Sequence, residues 1–149
     1  MKVGVRAVLV VFVFACFSCS DVGEPSDKKP YYPLIPLAGW RLVSVEVVGV
    51  SMELVPSNES YTMDFFTPSE CRGLILCNYW GSKVIRGPYD EISFSDFSAT
   101  EIGCPNTIYT LEFRRALENA KTITQSGNQL KLYYLGGTRV LHFTQIIAP

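Results

Sequence analysis

The chain has 149 residues, which leaves room for one domain once its two ends are set aside. Its formal net charge is −1, and without Lys2 and Arg6, two of its 13 basic residues, 11 basic residues face 14 acidic ones, a net −3. That mild acidity, with Lys28-Lys29 and Arg114-Arg115 as its adjacent basic pairs, argues against nucleic acid as a partner, because such a footprint needs Lys and Arg clustered on one face.

The N-terminal stretch carries the clearest signal. Lys2 and Arg6 form a short positive region, followed by an unbroken apolar run over residues 7–17 (AVLVVFVFACF) and then Ser18-Cys19-Ser20-Asp21. An apolar run of that length covers about half of a ~30 Å hydrocarbon core, too little for a stable membrane-spanning helix. A charged start, a short apolar run and a small residue before the cut make an export signal over residues 1–18. The Cys after the small residue looks like a lipobox, in which the thiol is acylated and becomes the new N-terminus. Cys16 and Cys19 both fit such a box. Cys19 is favoured, because the apolar run continues through Phe17 and polar residues follow directly. The Ser before it and the acidic residue soon after resemble lipoproteins of the Bacteroides group. The expected location is the cell envelope, with the lipid in the outer membrane and the domain facing the periplasm or cell surface.

Outside the cytosol disulfides persist. Cys71, Cys77 and Cys104 remain besides the anchor, so one pair and one leftover thiol are expected. A zinc site lacks ligands: Cys71 and Cys77 are six apart and the single histidine, His142, lies far off in a strand pattern. No metal or cofactor is expected.

Residues 19–36 are rich in Pro, Ser and charge, and prolines 25, 30, 33 and 36 block helix, so this segment reads as a linker. The domain is expected over residues 37–147. Residues 40–50 (WRLVSVEVVGV) are β-branched and partly alternating, a strand pattern. Residues 52–60, with Pro56 and Asn58, read as a loop. In residues 61–65 (YTMDF) large apolar side chains fall at every second position, which buries one face of a strand. Residues 67–70 form a turn, and residues 73–85 hold one or two strands broken near Gly81-Ser82. After a turn at Gly87-Pro88, residues 91–97 (EISFSDF) alternate again.

The one helix is expected between Thr107 and Lys121, capped by Asn106 or Thr107. Tyr109, Phe113, Ala116, Leu117 and Ala120 recur along one apolar stripe, and Arg114, Arg115 and Glu118 lie off it. Two strand patterns, 129–135 and 138–145, meet at Gly136-Gly137, which predicts a tight hairpin with positive φ at both glycines. One helix among six or more strands must cover a face or plug an end of the sheet. The fold class is therefore α+β, mainly β: a strongly curved antiparallel sheet or partly open barrel with one helix packed against it.

Placed in order, these elements resemble the META domain family of the HslJ heat-shock type, small domains common in bacterial envelope lipoproteins. The matching pieces are Gly39-Trp40-Arg41-Leu42, the 61–65 strand, Gly73 followed by Cys77-Asn78 and Gly81, Thr100 with Cys104-Pro105, the 113–117 helix segment, and the closing hairpin up to Leu141-His142-Phe143. The chain departs from the family at Leu76, where Gly is usual, and carries Cys71 in addition. The acidic residue that usually precedes the helix Phe is present only as Glu112. The resemblance implies structural roles for Trp40, Asn78 and Thr100, and marks Cys77 and Cys104 as the disulfide pair, with Cys71–Cys104 as the alternative. It implies a compact β-rich domain with a helix across the sheet and supplies no catalytic residue.

Tyr79-Trp80 forms an aromatic pair suited to an interaction surface, although in a strand one of two neighbours must point inward. Leu141-His142-Phe143 sets His142 on the face away from its apolar neighbours, toward the surface. Asp90, Glu91, Asp96 and Glu101 show no spacing that sets them apart from a wet strand face, and no phosphate loop or serine elbow is present. The function expected is a non-enzymatic envelope lipoprotein that binds a protein or envelope component in a stress-related role. An inhibitor of, or enzyme on, cell-wall or secreted substrates is the second reading, and a structural envelope protein the third.

Overall fold

The computed structural model describes residues 38–147. The expected leader, the lipidation site at Cys19 or Cys16 and the linker 19–36 lie outside the described residues.

Among the described residues, nine strands and one α-helix follow in the order β1 (Gly39–Val47), β2 (Ser51–Leu54), β3 (Thr62–Thr67), β4 (Glu70–Ile75), β5 (Asn78–Arg86), β6 (Ile92–Ala99), α1 (Ile108–Glu118), β7 (Ala120–Ser126), β8 (Gln129–Tyr134) and β9 (Arg139–Gln145). They form one antiparallel sheet in the order β6-β5-β4-β3-β1-β9-β8-β7, with β2 on the same side of β1 as β3. Its two ends approach each other: Ile123 N–H donates to the Asp90 carbonyl at 2.8 Å, and Glu91 bridges Thr122. The sheet is thus a strongly curled half-barrel, mainly β with one helix.

The alternation written in residues 61–65 decides what fills it. Tyr61, Met63 and Phe65 are fully buried, while Thr62 and Asp64 between them are only half-buried. Trp40 and Leu42 of β1, Leu130 and Leu132 of β8, and Leu141 and Phe143 of β9 join the same core. The helix adds Phe113, Ala116 and Leu117. Phe113 meets Trp80, Tyr61 and Phe143 at ring-centroid distances of 5.8, 5.8 and 6.1 Å, so it ties α1 to three separate strand regions. Thr107 caps the helix, its side chain accepting from Thr110 N–H.

Gly73 sits where no side chain fits: an added Cβ would lie 1.9 Å from the Thr62 carbonyl oxygen. That carbonyl accepts the Trp80 indole N–H at 3.1 Å, and the Thr62 hydroxyl oxygen accepts Leu74 N–H at 2.9 Å. The bare glycine therefore lets the Thr62 peptide of β3 lie close against β4 with its polar groups still bonded.

Four expectations are corrected. Residues 52–60 are not all loop, because Ser51–Leu54 folds back on β1 as a short, fully exposed edge strand. The break in 73–85 falls at Leu76-Cys77, not at Gly81-Ser82. Leu76 takes φ 59°, the left-handed conformation that makes Gly usual there, while Gly81 stays in the ladder opposite Arg72. The helix stops at Glu118, and Ala120 begins β7, since Asn119 caps it by donating from backbone and side chain to the Arg115 carbonyl. The last hairpin does have Gly136 and Gly137 at φ 69° and 83°, but Tyr134 faces Arg139, so residues 135–138 all belong to the turn.

Candidate functional site

The β5–β6 ladder does not end where its backbone pairing ends. Trp80 faces Ala99, the last backbone register pair. Next, Thr100 N–H donates to the Tyr79 carbonyl at 2.9 Å and Thr100 Oγ1 accepts Tyr79 N–H at 3.0 Å. Then the Asn78 side chain takes over. Its Oδ1 accepts Ile102 N–H at 2.6 Å and the Thr100 hydroxyl at 3.2 Å, and its Nδ2 donates to the Ile102 carbonyl at 3.2 Å and to Cys104 Sγ at 3.0 Å. Last comes a covalent rung, the Cys77–Cys104 disulfide, with Cα atoms 6.0 Å apart. Backbone, side-chain amide and disulfide thus hold residues 100–104 in turn against β5.

This pinned segment walls a groove of about 460 Å³ whose other sides come from β6 and α1, with Phe97, Asn106, Thr110 and Arg114 among its lining. A register shift in β6, with Asp96 at φ 53°, turns Phe97 onto Trp80, ring centroids 6.0 Å apart and nearly parallel. The Arg114 guanidinium lies over the Phe97 ring, 6.0 Å from its centroid. Amide, hydroxyl and guanidinium groups therefore stand around an aromatic floor, open to solvent along the exposed Ile102 and Glu101. Such a set can hold a polar or aromatic partner group; it presents no nucleophile beside a base.

The predicted site residues divide. Asn78, Thr100, Cys77 and Cys104 come together at this groove. Trp40 lies apart, fully buried, its indole N–H without a hydrogen-bond partner among the described residues. Tyr79 and Trp80 divide between the two faces of β5: Trp80 is buried beneath Phe97 and Phe113, and Tyr79 is exposed. Cys71 is buried and free, and burial pushes its thiol pKa well up. His142 is less open than expected, because the Glu46 carboxylate of β1 bonds its Nε2 at 2.6 Å. Of the acidic residues, Asp96 pairs with Lys83 at 2.7 Å, raising the lysine pKa through that hydrogen bond, and Glu101 stands at the groove rim. Among the described residues no three His, Cys, Asp or Glu side chains gather as metal ligands. Among them, too, no helix is long and apolar enough to cross a membrane.

Sequence reasoning named Glu112 only against the family pattern and gave it no role. It is buried in the helix face and accepts the Tyr134 hydroxyl at 2.6 Å, with Arg139 at 2.8 Å and Arg115 at 3.2 Å. The signal was present: Glu112 stands between Tyr109 and Ala116 on the apolar stripe, with Arg115 three residues on. This carboxylate is matched by its cations, so it fastens α1 to the β8–β9 hairpin.

The META domain sequence model matches residues 35–146. The fold is similar to the crystal structure of a DUF4847 family protein from Bacteroides vulgatus, with a TM-score of 0.56, 16% identity, and coverage of 76% of this chain and 95% of that one. No curated protein matches the chain.

Proposed function

The chain belongs to the META domain family, and on that footing we propose that it is an envelope lipoprotein whose domain is a non-catalytic binding module. In this reading residues 1–18 direct export, a lipid on Cys19 anchors the chain in the outer membrane, and residues 19–36 hold the domain away from the bilayer. The domain binds a protein or other envelope component in a stress-related role, a reading that its membership of the META domain family supports.

The observation that carries the binding reading is the way the groove is built. Ordering a loop costs free energy at the moment of binding unless the loop is already fixed. Here residues 100–104 are fixed beforehand by Asn78 and by the disulfide, and the aromatic floor is braced by Trp80. Asp90 and Glu91 lie at the closure with β7, Asp96 on Lys83 and Glu101 at the rim, an arrangement that supports recognition over acid–base chemistry.

A photo-crosslinking amino acid placed at Ile102 of the full chain in intact cells tests this. The expected result is one recurrent adduct that weakens several-fold when Arg114→Ala is added. Equal labelling from Ile102 and from the remote Gln125, indifferent to Arg114, would remove the groove from consideration.

A further inference from the structure

The groove continues past its aromatic floor. A second hollow, of about 260 Å³, shares Phe97 and Arg114 with it and is lined also by Phe94 and Asp96 of β6 and by Leu117 and Glu118 of α1. The end of the helix thus borders the first half of β6, while Thr110 shares the first hollow with Ala99 and Glu101. Helix and strand run in opposite directions and enclose one track. A strand edge lies along it. β6 ends the sheet, and among the described residues its second edge is paired only where Asp90 and Glu91 meet β7. Thr100 gives its N–H to the Tyr79 carbonyl, and Asn78 holds the Ile102 N–H and carbonyl, so Ala99 and Glu101 turn their own N–H and C=O away from β5. Both residues are exposed, and neither has a hydrogen bond among the described residues.

Charges stand along the track in a fixed order: Glu118 in the second hollow, Arg114 between the two, Glu101 at the far rim. None of the three is in an ion pair among the described residues, whereas Asp96 is already taken by Lys83. Arg114 and Glu118 lie four residues apart on the helix, about 6 Å along its axis, and alternate residues of an extended strand are about 6.6 Å apart. An extended chain can therefore answer both charges from one of its faces. We infer that the track takes an extended polypeptide segment of a partner protein, added antiparallel to the outer edge of β6, with an acidic side chain on Arg114 and a basic one two residues later on Glu118. This rests on the groove being the binding site and names the chemistry of what enters it. Main-chain bonds to Ala99 and Glu101 attach the segment, and the charges fix its register and direction. Residues nearest Glu101 come first in such a segment, so a basic residue ahead of the acidic one completes the match.

Isotope-labelled full-length protein in detergent, titrated with the blocked peptide Thr-Lys-Val-Thr-Val-Glu-Val-Lys-Thr, gives the test. The amide resonances of Ala99 and Glu101 should shift, and the peptide should bind several-fold more tightly than its counterpart with Lys and Glu exchanged. Arg114→Glu combined with Glu118→Arg should reverse that preference, a result that loss of folding does not produce. A strand bonds through alternate residues, so N-methylation of one alternate set of the peptide should abolish binding and N-methylation of the other should leave it. Equal binding of the two charge patterns, a preference that the double variant fails to reverse, or the same effect from both methylated sets overturns the inference. A recurrent adduct from Ile102 with no binding of any of these peptides also overturns it, while keeping the groove as a site for a glycan or lipid. Absence of both adduct and peptide binding removes the groove itself.

Discussion

The side-chain amide of Asn78 binds the peptide unit of Ile102 at both ends, accepting its N–H at 2.6 Å and donating to its carbonyl at 3.2 Å. Asn78 thus does for residue 102 what a neighbouring strand would do, and the groove wall depends on it. Asn78→Ala should cost about 1–2 kcal/mol in denaturant unfolding. Amide exchange should speed up at Ile102 and Thr100 and stay unchanged at Leu132 in the core. Asn78→Asp keeps the acceptor but loses the donor, so its exchange rates should fall between the two.

Gly73→Ala should be among the most damaging single-methyl changes in the domain. The new Cβ would meet backbone at 1.9 Å, and the Thr62 carbonyl that must yield also holds the Trp80 indole. A loss of about 3 kcal/mol is expected, at the upper end of the overpacking range. Thermal unfolding and the fluorescence of Trp80 report it together.

Alkaline pH should loosen the domain through two tyrosines. Burial first, then the bond to Glu112, raises the Tyr134 pKa; burial first, then the bond to Glu59, raises that of Tyr61. An unfolded tyrosine ionises near 10. Because both folded values lie above that, their contribution is complete below pH 10 and is lost as pH rises from there through the folded values. Stability measured between pH 9 and 11.5 should therefore be level and then fall. Tyr134→Phe should flatten that fall, while costing about 1 kcal/mol at neutral pH for the donor removed from Glu112.

The disulfide closes a segment of 27 residues, which the chain-entropy treatment values at about 3–4 kcal/mol. Reductant, or Cys77→Ser with Cys104→Ser, should lower unfolding stability by that amount. Without reductant, thiol titration of the denatured domain should find a single reactive group among Cys71, Cys77 and Cys104.

What could be read from the sequence is what depends on periodicity. Tyr61, Met63 and Phe65 announce a buried face, and Asn106-Thr107 announces a helix start, because burial and capping act on near neighbours in the chain. The rest depended on parity changes and on distant partners. Strand β2 has no buried face to create an alternation. Strand β7 begins two residues after the helix and shares Ala120 with the expected stripe. The turn at Leu76-Cys77 was hidden because Leu occupies a glycine conformation. Phe97 reaches the groove only through the shift at Asp96, which no alternation count contains. Of the groove itself, the family motif marked Asn78, Thr100 and Cys104, but Arg114 looked like solvated helix surface until its stacking on Phe97 was visible.

Cys71 lies between Phe65 and Ser82 in the ladder, inside the curl. Three thiols could be joined in three ways, and the two nearest along the chain, Cys71 and Cys77, would be the first to collide in an open chain. Closing β3, β4 and β5 around Cys71 takes it out of that competition and leaves Cys77 waiting at the hairpin tip for Cys104, which arrives later along the chain. Packing thereby selects the correct crosslink, and the order in which sheet and disulfide form becomes a condition for the domain maturing without mispaired by-products.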